Sequence, residues 1–139
     1  MILSCNQGNN RVKIINENTF EVDFDNEKIM LAVNEAQENL DVFITEIQKH
    51  SKDTNYWFSA KKQFDSPEKI EHFWLEIKEF KNNVFTGILL DEPRWTKDVK
   101  AGDTIFIRKK DIEDWFISNE SLDIEKGNFT EKHLFENEQ

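Results

Sequence analysis

Between Glu27 and His50 the apolar residues Ile29, Val33, Ala36, Leu40, Phe43 and Ile47 recur at steps of three or four. That is the period of one helix face, and it predicts a single helix of about six turns carrying a continuous apolar stripe. Glu35, Glu38, Asp41, Glu46 and Lys49 fall on the opposite face. Lys49 and His50 occupy the last turn, where cations favour the helix dipole. A stripe of this length has to be buried, so the rest of the chain must supply an apolar layer.

That layer reads as strands. Val12, Ile14, Phe20, Val22 and Phe24 repeat every second position within residues 11–24, the spacing of a β-hairpin. Asp25 or Asn26 then offers a helix cap. After the helix, Tyr56–Phe64, Glu71–Phe80, Val84–Leu90 and Thr104–Arg108 read as strands separated by polar turns, and Ile112–Ile117 as a further strand or a short turn plus strand. Lys81-Asn82-Asn83 closes one hairpin, and Gly102 supplies the positive φ of a tight turn. The expectation is an α+β domain: one long helix packed on a curved antiparallel sheet of about five strands, with an N-terminal hairpin. Residues 1–26 form the hairpin extension and 27–118 the core; the acid-rich 119–139 are expected to be a partly mobile tail.

In the strand segment Ile70–Ile77, IEHFWLEI, alternation puts Phe73, Leu75 and Ile77 toward the helix and His72, Trp74, Glu76 and Lys78 away from it. His72 and Glu76 are about 13 Å apart at ~3.3 Å per residue, and Glu71 points to the other face. Neither pair converges on a metal or a proton. The segment therefore reads as a packing strand. Trp74, and Trp115 in DIEDWFI, are expected to be buried opposite the helix with each indole N–H hydrogen-bonded.

Composition narrows the function. The chain of 139 residues has one domain's length, and its twelve Phe and four Trp supply enough burial to fold despite 33% charged residues. A formal charge of −10 disfavours phosphate backbones, so no nucleic-acid partner is expected. Cys5 is the one cysteine, which excludes an internal disulfide and a cysteine-based zinc site. The start lacks the basic and apolar run of a secretory signal, and no stretch reaches the ~18 apolar residues of a membrane span. A cytoplasmic location and no membrane partner are expected. Residues 94–110 gather Arg94, Lys97, Lys100, Arg108, Lys109 and Lys110 against Asp98 and Asp103, a local excess that neighbouring carboxylates can neutralise.

IEHFWLEI, FTGILLDEP, VKAGDTIFI and DIEDWFI, in this order and spacing, resemble the YegJ-like family of uncharacterised bacterial proteins (domain of unknown function 2314). The resemblance rests on Glu71, His72, Trp74, Leu75 and Glu76, on Gly87, Glu92 and Pro93, on Gly102 and Asp103, and on Ile112, Asp114 and Trp115. It covers residues 27–118, with Asp91 where the family often shows Asn. It implies a fold and no chemistry.

No nucleophile elbow, phosphate-binding glycine loop or metal-ligand spacing occurs in the sequence, so no catalytic residue, metal or cofactor is assigned. Pro93 stiffens the Asp-Glu-Pro-Arg-Trp turn, and Arg94 and Trp95 are side chains favoured at interface hot spots. His72, Trp74, Glu76, Glu92, Pro93, Arg94, Trp95, Asp114 and Trp115 form the candidate binding surface. The chain reads as a non-catalytic protein-binding module favouring a basic partner, of which an immunity-type protein is one concrete form. The alternative is a small-ligand sensor or carboxylate-based enzyme in which His72, Glu76 and Glu92 converge.

Overall fold

A computed structural model describes residues 27–135 together with strands β1 (Val12–Asn16) and β2 (Thr19–Val22). Those two strands pair antiparallel, Val12 with Val22 and Ile14 with Phe20, as a separate two-stranded sheet. Cys5 and the expected cap at Asp25 or Asn26 lie outside the described residues.

The stripe between Glu27 and His50 is split between two helices, not carried by one. Helix α1 (Glu27–Glu38) ends at Asn39, and α2 (Leu40–His50) begins directly after it. Asn39 has φ −106° and ψ 13°, and both its backbone N–H and its Nδ2 donate to the Glu35 carbonyl. An asparagine side chain that competes for a helix carbonyl interrupts the ladder. The apolar stripe survives the break because Leu40 follows Ala36 by one turn, and both are buried.

Strands β3 (Trp57–Phe64), β4 (Glu71–Lys81), β5 (Val84–Leu89), β6 (Thr104–Arg108), β7 (Asp114–Asn119) and β8 (Ile124–Gly127) form one antiparallel sheet. Its order is β6-β5-β4-β3-β7-β8, six strands rather than about five. The β4–β5 hairpin turns on Asn82 and Asn83, at φ 55° and 64°, the left-handed pair that a two-residue hairpin loop requires. Gly102 has φ 92°, as its turn position predicts. A register shift between Ile77 and Glu79 marks a bulge, and beyond it Phe80 rejoins the core face.

The segment after Asn119 is not a tail over its described part. β8 pairs with β7, and helix α3 (Phe129–Phe135) packs on α1 with Phe129 and Leu134 buried. Gly127 makes the close approach possible. Its φ is 92°, and a Cβ there would lie 2.1 Å from the Trp115 carbonyl oxygen.

One sheet face meets α1 and α2. Ala60 aligns with Leu75 on one side and Trp115 on the other, and Phe43 stacks on the Trp115 ring at 5.1 Å between centroids. The opposite face carries a transverse row, Thr104, Ile88, Glu76, Ser59 and Phe116, with Lys61 aligned between Trp74 and Asp114.

Candidate functional site

Consecutive residues at the start of β4 point to different partners. The Glu71 carboxylate accepts from the backbone N–H groups of Arg94, Trp95 and Thr96 at 2.8, 3.0 and 2.8 Å, and from the Thr96 hydroxyl at 2.9 Å. Burial pushes its pKa up, but these bonds outweigh burial and hold the carboxyl below its ordinary value. Glu71 thereby pins the turn that follows Pro93. His72 Nδ1 and Glu113 Oε1 are 2.7 Å apart, a contact across strands that ties β4 to the segment entering β7.

The other cluster surrounds Asp114, which is fully buried. Its carboxylate accepts from the backbone N–H of Trp115 at 2.8 Å, of Phe129 at 3.0 Å and of Thr130 at 2.8 Å. The last two are the free amides at the start of α3, so Asp114 is that helix's cap. Lys61, aligned with Asp114, donates from Nζ to Thr130 Oγ1 at 3.2 Å and lies 5.8 Å from the centre of the Trp74 ring. Burial lowers the Lys61 pKa, against the opposing pull of Asp114 and then Glu113.

Between these groups a recess of about 200 Å³ opens on the face away from α1 and α2, lined by Ser59, Trp74, Phe116, Asn128 and Glu131. A larger depression of about 600 Å³ lies around Trp57, Ser118 and Glu120.

The expected surface is thus divided. Trp74 lines the recess, whereas His72 is held by Glu113 and Asp114 by the start of α3. Glu76 pairs with Lys78 at 3.1 Å, and Glu92 accepts from the Ala101 backbone at 3.2 Å. His72, Glu76 and Glu92 thus meet different partners: Glu113, Lys78 and the Ala101 N–H. Arg94 is exposed, Pro93 and Trp95 are half-buried, and Lys69 Nζ lies 5.7 Å from the Trp95 ring centre.

Trp115 is a correction. It is buried as expected, but on the helix side, with Nε1 donating to the Ala36 carbonyl at 3.0 Å. Trp74 is only half-buried, and its indole N–H makes no hydrogen bond among the described residues. Within the basic stretch 94–110, Arg108 meets Asp111 at 3.0 Å.

Three contributors were missed from the sequence: Lys61, Glu113 and Thr130. The Lys61-Lys62 pair hid the first, because only the fold shows that α3 covers one lysine. Among the described residues no group of three His, Cys, Asp or Glu could hold a metal, and no helix is long and apolar enough to cross a membrane.

Several residues behind the family resemblance now have structural work. Glu71 and Asp114 clamp backbone, Gly102 turns it, and Trp115 fills the core. The family profile described as "Uncharacterized protein conserved in bacteria (DUF2314)" matches residues 26–137, beyond the limit at 118 and through β8 and α3. The chain is similar to "Uncharacterized protein YegJ" of Escherichia coli (strain K12), with 30% identity over 92 residues. That match covers 66% of this chain and 58% of the relative's length. No solved structure matches the chain. A profile match over most of the sequence is decisive: the chain belongs to this bacterial family of uncharacterised proteins.

Proposed function

We propose that the chain is a non-catalytic binding module of the bacterial cytosol, and that the sheet face turned away from α1 and α2 docks a basic protein partner. The observation that carries this reading is the side-chain content of that face. Phe106 is 69% exposed and Trp57 41% exposed, with Ile88, Trp74 and Phe116 between them on neighbouring strands. Large aromatics spread over one uncovered face, with polar groups among them, are the composition of a recognition surface. The −10 charge of the chain favours encounter with a basic partner. An immunity-type protein, which blocks a basic toxin, is one form of such a module.

The test is affinity capture from the native host at physiological salt with three proteins: wild type, Phe106→Glu, and Met30→Glu on exposed α1. A basic protein is expected in stoichiometric amount on wild type and Met30→Glu, and reduced at least about tenfold on Phe106→Glu. Equal retention by all three, or no stoichiometric partner, overturns the reading.

A further inference from the structure

We propose that the recess beside Trp74 receives the cationic head group of an arginine or lysine side chain. The inference rests on the docking reading and names what the partner inserts.

Size favours a small occupant. At about 200 Å³ the recess falls below the ~300–1,000 Å³ range of small-molecule sites and suits one side-chain end. Its lining selects the charge. Ser59 is 5% exposed and lines the recess, where its hydroxyl bonds no other side chain or backbone group among the described residues. A hydroxyl lining an open recess can exchange its water for a group that enters. Glu131 supplies the countercharge. Its Oε2 accepts from Asn128 Nδ2 at 2.9 Å, while Oε1 makes no bond and no cation pairs with it among the described residues. Trp74 and Phe116 complete the walls, and aromatic faces attract cations. Lys61 already lies over the Trp74 ring, an example of that attraction within the protein itself.

The surrounding charges agree. Lys61 faces Asp114 and Glu113, and Lys78 pairs with Glu76, which leaves Glu131 without a neutralising partner. An anion entering here would meet Glu131 directly. An apolar group would strip water from Ser59 and Glu131 and return no hydrogen bond. A guanidinium or ammonium group meets both requirements.

The test is a ¹H–¹⁵N NMR titration of the full chain with N-acetyl-arginine amide and N-acetyl-lysine amide. N-acetyl-citrulline amide and N-acetyl-norleucine amide serve as uncharged counterparts. Saturable shifts are expected at the Trp74 indole N–H with a Kd of about millimolar, while the Trp115 indole stays still. Citrulline should bind at least about fivefold more weakly than arginine. Glu131→Gln should weaken the arginine probe by about fivefold and leave the citrulline probe unchanged, and Ser59→Ala should weaken the arginine probe by about threefold. Equal binding of charged and uncharged probes, or an arginine affinity untouched by Glu131→Gln, overturns the inference. Failure here with Phe106-dependent capture intact sinks the recess alone. Loss of that capture sinks the docking reading, whatever the probes do.

Discussion

The two faces of the sheet each carry a tryptophan flanked by acids, and they use it in opposite ways. On the helix side Trp115 is 2% exposed, stacked on Phe43, edge-on to Phe129 and hydrogen-bonded to α1. On the other side Trp74 is half-buried, walls a recess, and has Lys61 above its ring. Trp74 lies two positions before Glu76 and Trp115 two positions after Glu113, so local composition does not separate them. Register does. Ala60 pairs with both Leu75 and Trp115, which sets Trp115 among the core residues, whereas Trp74 aligns with Lys61. A tryptophan's role on a sheet is decided by its neighbours on adjacent strands.

The largest expected effect falls on the helix side. Trp115→Ala should cost about 3–5 kcal/mol by chemical denaturation, as core tryptophan truncations do. Trp74→Ala, from a half-buried site, should cost only about 1 kcal/mol. Equal losses would erase the distinction between the faces.

A smaller effect tests what holds α3. Asp114→Ala leaves three backbone N–H groups without their acceptor and should cost about 2–3 kcal/mol. Amides of residues 129–135 should then exchange much faster than those of β4. Uniform loss of protection over the whole sheet would mean that Asp114 holds the global fold, not one helix.

The smallest effect depends on pH and concerns Glu71. Its folded-state pKa lies below its unfolded value near 4.3, so its bonds to the 94–96 turn add stability that is fully present above about pH 4.3. That stability is lost as pH falls through the folded value. Backbone amide shifts of Trp95 and Thr96 should titrate with a midpoint below about 4.3. Glu71→Gln should abolish this titration and cost at most about 1 kcal/mol. A midpoint above 4.3 would show that the clamp does not favour the ionised form.

Much of this architecture was legible in the sequence, and the failures share a cause. The helix stripe, the β4–β5 turn and the positive φ of Gly102 all depend on local spacing, which a linear reading contains. Asn39 broke the helix through a side-chain bond to Glu35 that periodicity does not register. β8 and α3 stayed invisible because a strand of four residues and a helix of seven carry little pattern of their own. Asp114, Gly127 and α1 stabilise them from a distance. The candidate site divided along the same line. His72 and Trp74 stood out by residue type, while Lys61, Glu113 and Thr130 gained importance only through pairing and the docking of α3.

The seat of α3 on α1 sets an order on biosynthesis. His133 Nε2 lies 2.7 Å from Glu35 Oε1, a contact that spans 98 positions of chain. Helix α1 is made before any strand of the six-stranded sheet, yet its companion leaves the ribosome after β8. During that interval the surface awaiting α3 stays uncovered on the nascent chain, a natural target for chaperones and proteases. Closure of the domain is therefore a late event, reached only when the segment through Phe135 is free to fold back.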